Sequence, residues 1–495
     1  MILTQHYLAC LSQASYLLAD ETTGRAVVVD PRRDIGIYLD EAAEKGLRIE
    51  RVIETHVHAD FLSGHLELAD RTGAVISYGA GARVNFPVEL LEDGQRLSLG
   101  DVTLEVLSTP GHTPESICLV VWEHGDDAAP YGVLTGDTLF VGDVGRPDLL
   151  SSFGGESPGE DTGQEDGAAR PTTPAPERSA WENSAEALAR QLYKSLHTKL
   201  LVLPDTTRVF PAHGAGSSCG KQLSSETMST IGEQRRDNYA LQYTAEKDFV
   251  SAVTEGQPAR PLYFEFDARA NRELHPLFDD AEPPMLLLDE VLALQASGAV
   301  LLDPREPADF AAGHLRGALN VGLQGRFAEW AGDVLPPDRD IVLVGDPAIS
   351  REAKVRLARV GLDRVVGQLA RPAEAFADRP SAVSTSSRLS PAQLASLVSA
   401  EAGLQVVDIR SHSETSEGKV PGAEEIPLAT LRASLGKLQR AKPVVVYCAS
   451  GYRSQVAASL LRQAGFDDVS DLVGGYGAWV AAGFAQHRPD PATPR

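Results

Sequence analysis

Cysteine is scarce in this chain. Its 495 residues hold four, Cys10, Cys118, Cys219 and Cys448, all far apart. That spacing excludes a disulfide framework and fits a reducing compartment, so cysteine chemistry here must be carried by single thiols. Basic residues are also in deficit: 45 Lys and Arg face 69 Asp and Glu, a net charge of −24. A surface this acidic repels a nucleic-acid backbone and argues against DNA or RNA as a partner. No run of 18 apolar residues exists, which excludes a membrane-spanning helix. The opening residues, MILTQHYLACLSQASYLLAD, have no basic stretch before their apolar ones, so a secretory signal is not expected and the expected location is cytoplasmic. What is present is 43% hydrophobic residues, enough for sizeable cores, over a length that predicts about three domains.

Residues 1–150 alternate β-rich runs (26–30, 102–107, 117–122) with polar turns and a helical stretch at 35–46, the pattern of an α/β fold. From Gly154 to Ala180 there is no Val, Ile, Leu, Met, Phe, Tyr or Trp, and six acids accompany many Gly and Pro. Such a stretch cannot build a core and is expected to be a flexible insertion. Leu188, Leu192 and Leu196 then mark one face of a helix, with Asn183 or Ser184 as its N-cap. The first domain is therefore expected to span 1–245, with 246–283 as a connector. A weak repeat follows: Val300–Arg305 parallels Val406–Arg410, Gly313–Ala318 parallels Gly418–Ala423, and Ile341–Gly345 parallels Val444–Cys448. Its period of about a hundred residues is domain-sized and predicts two related domains, 284–380 and 388–488.

Four segments carry potential metal ligands, each after an apolar run and beside Gly, Pro or Thr: His56-Val-His58-Ala-Asp60-Phe61, Gly111-His112, Gly136-Asp137 and Ala212-His213. Strand ends and loops are where converging ligands belong. The set resembles the metallo-β-lactamase superfamily, whose hallmark is HxHxDH, then a Gly-His, an Asp and a late His. The resemblance covers residues 1 to about 240 and implies an αββα sandwich with the site at one edge of its two sheets. The chain departs from the hallmark at Phe61, where the last His of HxHxDH would stand. A phenyl ring cannot ligate, so one metal is expected.

The stretches Glu54–Gly64, Phe140–Leu149 and Pro211–Gly220 are similar to the persulfide dioxygenases. That resemblance implies a single Fe(II) held by His56, His112 and Asp137, a face that leaves room for a sulfur substrate and O₂. His58, Asp60 and His213 would then orient ligands and waters. Cys219, six residues after His213, is a candidate sulfur relay. Arg146 and Lys221 are candidates for binding an anionic substrate, while Cys10 and Cys118 are expected to be core.

Toward the C-terminus, Pro443-Val-Val-Val-Tyr-Cys448 reads as a buried strand ending in a cysteine. A short loop (Ala449, Ser450, Gly451, Tyr452, Arg453, Ser454) and a helix follow. Amide groups at that helix start and the Arg453 charge would stabilise a thiolate or an anionic persulfide. This C-x-x-G-x-R-S loop, with Asp408-x-Arg410 and Gly474–Trp479, resembles a rhodanese active site. The middle domain has Gly345-Asp346-Pro347 at the cysteine position, so it is expected to be a rhodanese fold without a nucleophile.

Together the resemblances imply oxidation of a low-molecular-weight persulfide such as glutathione persulfide to sulfite and thiol, coupled to sulfur transfer through Cys448 with thiosulfate made or used. The superfamily relatives imply a homodimer or homotetramer. Two rival readings are a thioester hydrolase resembling glyoxalase II and a sulfur carrier without oxidation.

Overall fold

The computed structural model describes residues 1–149, 184–400 and 403–487. The acidic stretch 154–180 lies outside the described residues. Two six-stranded sheets form the first unit. One runs in the order Ile2–Leu8, Gln13–Ala19, Arg25–Val29, Arg48–Ile53, Val75–Gly79 and Glu89–Leu91. The other runs Ser229–Thr230, Arg208–Pro211, Gly132–Gly136, Ile117–Trp122, Thr103–Ser108 and Arg96–Ser98. Alternating residues of the two inner faces, among them Tyr16, Leu18, Val27, Val29, Leu104, Val106, Leu119 and Leu134, make one buried cluster between the sheets. Helices cover the outer faces. Ala185–Ser195 is capped by Ser184, whose hydroxyl accepts the Ala187 amide, and it buries Leu188 and Leu192, with Leu196 buried just beyond its end. The αββα sandwich is the expected architecture.

The two later units share one topology. Their five-stranded sheets run Met285–Leu286, Val365–Leu369, Ile341–Leu343, Val300–Asp303, Leu319–Asn320 and Ser387–Leu389, Val469–Leu472, Val444–Tyr447, Gln405–Asp408, Glu424–Glu425. The repeat extends to atoms. Arg305 forks onto Asp303 and donates to the Gly313 carbonyl at 2.9 Å, while Arg410 forks onto Asp408 and donates to the Gly418 carbonyl at 2.7 Å.

The segment 246–283, expected to connect, does more than that. Its helix Glu246–Thr254 buries Phe249 and Val253 against Ala185–Ser195, and its helix Tyr263–Ala270 joins Phe61 to the core of the middle unit. Sequence pattern misleads here because the Pro-rich, charged residues flank short helices whose apolar faces are only three or four side chains wide. Among the described residues no helix is long and apolar enough to cross a membrane.

Candidate metal centre and sulfur-transfer loop

Every candidate ligand follows a strand end, at one edge of the sandwich. His56 follows Arg48–Ile53, His112 follows Thr103–Ser108, Asp137 follows Gly132–Gly136, and His213 follows Arg208–Pro211. The backbone there is close-packed: a Cβ on Gly145 would lie 1.9 Å from the Asp137 carbonyl oxygen, so only glycine fits between the Asp137 and His112 loops.

One ligand atom each from His56, His112 and Asp137 falls within 4.8 Å of the others, and all three residues are buried. Asp137 Oδ2 lies 3.9 Å from His56 Nε2 and 3.5 Å from His112 Nε2. Hydrogen bonds on the far side of each ring decide which nitrogen faces inward. The His112 Nδ1–H donates to the Arg146 carbonyl at 2.8 Å. The Thr55 hydroxyl donates to Asp30 at 2.8 Å and so accepts from His56 Nδ1–H at 3.0 Å. Both Nε2 lone pairs therefore face the Asp137 carboxylate. Burial and the neighbouring His58, His112 and His213 hold the His56 pKa well below the ordinary histidine value, which keeps it a neutral donor. Lone pairs aimed at a buried carboxylate whose two oxygens have no hydrogen-bond partner are what a cation would satisfy. The donor set fits a divalent transition metal such as iron.

His58 falls in a different group of candidate ligands, with Asp30 and Glu54. Its Nε2 lies 3.0 Å from both Asp30 Oδ1 and Glu54 Oε2. Burial opposes its charge, but the two carboxylates outweigh burial and raise its pKa well above the usual value. Glu54, also buried, is held down at about 2 by His58 and His65. These contacts use only Nε2 and fix the ring, while the buried Nδ1 has no hydrogen-bond partner. Phe61 packs on the His58 ring with centroids 4.3 Å apart.

A second cluster adjoins the first. Asp60, His213 and Cys219 also bring ligand atoms within 4.8 Å of one another. His213 Nε2 lies 3.1 Å from Asp60 Oδ2 and 3.4 Å from Asp137 Oδ1. Burial, Asp60 and Asp137 push the Cys219 thiol well above its ordinary pKa.

Arg146 and Lys221, the expected substrate-binding cations, both have partners within the chain. Arg146 is 1% exposed. It forks onto Asp148 at 2.7 Å and donates to the Ser218 carbonyl, while its own amide donates to the Cys219 carbonyl. It fastens the Cys219 loop and, through its carbonyl, orients His112. Lys221 donates to the carbonyls of Ala252 and Glu255 at the end of the helix Glu246–Thr254. Sequence shows the charge of both but not the partners they find in the fold. Cys118 is core as expected, but Cys10 is only partly buried and receives Arg359 Nη1 at 3.4 Å.

Asn271 is the residue that sequence reasoning missed. It is 1% exposed, its amide donates to the carbonyls of His58 and Phe61 at 2.8 Å, and its oxygen accepts the Ser63 amide at 2.9 Å. A single side chain thus satisfies three backbone groups of the loop that bears Asp60. No local pattern could reveal it, because its partners lie more than 200 residues upstream.

At the other site, Cys448 ends the strand Val444–Tyr447 and is 1% exposed. Its sulfur accepts the Gly451 amide at 3.1 Å and lies 3.8 Å from the Ser454 hydroxyl. The helix Arg453–Gln463 starts from this loop, so its positive end faces the sulfur. Gly451 adopts φ +96, and a Cβ on Gly475 would lie 2.3 Å from the Cys448 carbonyl oxygen. Arg453 forks onto Glu414 at 2.9 and 2.6 Å, which fixes the guanidinium beside the loop. Tyr452, in the same loop, donates to Glu306 of the middle unit at 2.8 Å. The middle unit has Gly345 at the corresponding place, two residues before the helix Pro347–Ala358, and no cysteine.

Comparison with known proteins agrees with this division. Residues 8–213 match the metallo-β-lactamase superfamily, and residues 287–371 and 390–482 each match the rhodanese-like domain. A crystal structure of a metallo-β-lactamase from Staphylococcus aureus subsp. aureus COL is 31% identical, with a TM-score of 0.62 over 75% of this chain and 99% of that one. The mitochondrial persulfide dioxygenase ETHE1 of Bos taurus is 27% identical over 265 residues, 52% of this chain and 82% of the relative. The hydroxyacylglutathione hydrolase of Methylococcus capsulatus is 32% identical over 200 residues, 40% of this chain and 60% of the relative.

Proposed function

This chain belongs to the metallo-β-lactamase superfamily and carries tandem rhodanese-like domains, and we propose that it oxidises a low-molecular-weight persulfide with O₂ and transfers sulfane sulfur through Cys448. The observation that carries this reading is the pairing, in one chain, of a two-histidine, one-carboxylate face with a cysteine held in an amide-lined loop. The likeness to persulfide dioxygenases supports it.

His56, His112 and Asp137 would hold one iron per chain. When bound, Fe(II) supplies the redox chemistry that joins O₂ to the outer sulfur of the persulfide. The chain's own part is to aim both imidazoles, through Thr55 and the Arg146 carbonyl, and to enclose the site by burial. The overall change is R–S–SH + O₂ + H₂O → R–SH + SO₃²⁻ + 2H⁺. At the second site, attack of sulfite on the outer sulfur of a Cys448 persulfide breaks the S–S bond and leaves thiosulfate and the Cys448 thiolate. The Gly451 amide and the start of the helix Arg453–Gln463 receive that thiolate's charge. Cys219, next to the metal carboxylates, is the candidate relay between substrate and metal. Its replacement by Ser should slow persulfide turnover, and unchanged turnover removes the relay.

The rival reading is a thioester hydrolase, favoured by the hydroxyacylglutathione hydrolase likeness. Such an enzyme uses metal-bound hydroxide and needs no fused sulfurtransferase. Anaerobic purification with metal analysis, followed by O₂ uptake with glutathione persulfide, separates the two. Iron with O₂ uptake supports the dioxygenase, and thioester cleavage without O₂ uptake overturns it.

A further inference from the structure

The two rhodanese-like domains share strand order and register, so the middle one shows what the fold needs without a nucleophile. In the last domain Asp471 stands opposite Val446 on one neighbouring strand and Arg388 on the other. In the middle domain the matching place holds Gln368, opposite Leu343 and Met285. Asp471 is fully buried, and Arg388 forks onto it at 3.0 Å through both Nε and Nη2. Gln368 instead donates to the Pro283 carbonyl at 2.8 Å. Burying an ion pair is costly, and the middle domain closes the same sheet without one here. The pair stands where the cysteine stands and is absent where the cysteine is absent. Ser454 connects the two. This buried hydroxyl donates to Asp471 Oδ2 at 3.5 Å, while its oxygen faces the Cys448 thiol at 3.8 Å. Counted from the same strand, the middle domain has Arg351 in its place. Once Cys448 loses its own proton, one hydroxyl proton faces two acceptors and can serve only one. The other groups around the pair are in place already. Arg462 is a second cation near Asp471, and the Gly451 amide donates to the sulfur at 3.1 Å. Arg453 faces Cys448 from the helix start, itself forked onto Glu414 and near Asp408.

We propose that Asp471 is a positioning residue for Cys448 that acts through Ser454: it holds the hydroxyl proton away from the empty thiolate and so favours the sulfur-loaded state of the loop. This rests on the sulfur-transfer reading of Cys448. In loading from thiosulfate, the Cys448 thiolate attacks the outer sulfur, the bond from that sulfur to the sulfonate breaks, and sulfite leaves: Cys–S⁻ + S–SO₃²⁻ → Cys–S–S⁻ + SO₃²⁻. The charge moves from Sγ to the outer sulfur. An empty Sγ therefore carries the charge that Asp471 repels, and lacks the Ser454 proton that would offset it. A loaded Sγ is neutral and suffers neither. Burial sharpens the contrast, because a desolvated thiolate with one donor fewer is costly. Arg388 keeps the restraint in place by fixing the carboxylate.

The test is alkylation of reduced, full-length protein with iodoacetamide across pH, read on the Cys448 peptide by mass spectrometry so that the other cysteines do not contribute. Asp471→Asn should lower the pH midpoint of Cys448 alkylation by about one unit. Asp471→Gln, which copies the middle domain, should do the same and guards against misfolding of a single variant. In a Ser454→Ala background, Asp471→Asn should shift the midpoint by less than half as much. Above both midpoints, with thiosulfate and sulfite at a fixed ratio, Asp471→Asn should cut the ratio of loaded to empty Cys448 about tenfold, the change that one pH unit represents. An unchanged midpoint, or the same shift with and without Ser454, overturns the proposal. A merely structural Asp471 would lower stability and leave the midpoint in place. Wild-type protein that takes no sulfur from thiosulfate overturns the sulfur-transfer reading and the loading bias with it, while the midpoint still decides the link from Asp471 through Ser454.

Discussion

Arg359 of the middle rhodanese-like domain grips Asp34 of the metal domain through two hydrogen bonds of 2.8 Å. Its carbonyl also accepts the Leu62 amide at 2.8 Å, one residue from Phe61. Nearby, the fully buried Arg33 bridges Glu67 of its own domain to Asp363 of the middle one at 2.7 and 2.9 Å. The domain without a nucleophile therefore supports the metal loop. Arg359→Ala leaves the part-buried Asp34 with Arg32 as an ion-pair partner and removes two charged hydrogen bonds, at a cost of about 1.5–3 kcal/mol. It should also weaken metal binding, while sulfur transfer through Cys448 stays near wild type. Thermal unfolding and metal titration read the first two, and a thiosulfate sulfurtransferase assay reads the third.

Asn271→Ala should act on the same loop from the connector side. It leaves the carbonyls of His58 and Phe61 and the amide of Ser63 without their partner. Each buried orphan costs about 1–3 kcal/mol, less where the loop relaxes. Metal affinity should fall tenfold or more, with Asn271→Asp intermediate, because the aspartate keeps the acceptor for Ser63 but not the donors. Equal metal affinity in all three proteins would show that the clamp does not shape the site.

The two chemistries should separate by mutation. Cys448→Ser removes the sulfur carrier and should abolish sulfur transfer while leaving O₂ uptake with glutathione persulfide intact. Arg453→Gln breaks the fork onto Glu414 and should slow transfer tenfold or more without touching O₂ uptake. Loss of O₂ uptake in either variant would contradict this division of labour.

Asp333 gives a pH prediction. It lies in the helix Phe327–Val334, and burial, with Glu329 close by, pushes its carboxyl up to about 8. The folded pKa is raised, so the folded chain binds the extra proton. Stability then falls as pH rises from the unfolded carboxyl range near 4 toward about 8. Asp333→Asn removes this penalty. It should raise the melting temperature by a few degrees at pH 8 and much less at pH 5. A pH-independent shift, or a loss of stability at pH 8, would contradict the assignment.

Much of this was legible in the sequence for a physical reason. Ligand-bearing segments at strand ends and a thiol at a strand-to-helix turn are local patterns, so the segments with His56, His112, Asp137 and His213, and Cys448, could be read from their neighbours, while the choice of His56, His112 and Asp137 as ligands came from the family resemblance. The Ser184 cap and the Leu188, Leu192 and Leu196 face are local in the same way. What escaped depends on distant partners. Arg146 and Lys221 read as free cations because Asp148, Ser218 and the carbonyls at Ala252 and Glu255 become their partners only in the fold. Asn271 acts on backbone atoms, which carry no sequence signature, and Arg359 meets Asp34 across more than 300 residues. Phe61 did read as a lost ligand, but the approach of Cys219 to Asp60 and His213 needs three loops in place.

The most direct test of the central claim is to measure O₂ consumed and sulfite formed together. Iron-loaded Cys448→Ser, supplied with glutathione persulfide, keeps sulfite from being converted onward. The account predicts equimolar O₂ and sulfite, abolished by His112→Ala. Sulfite-free turnover, or no O₂ uptake by protein that instead cleaves a glutathione thioester, would contradict it.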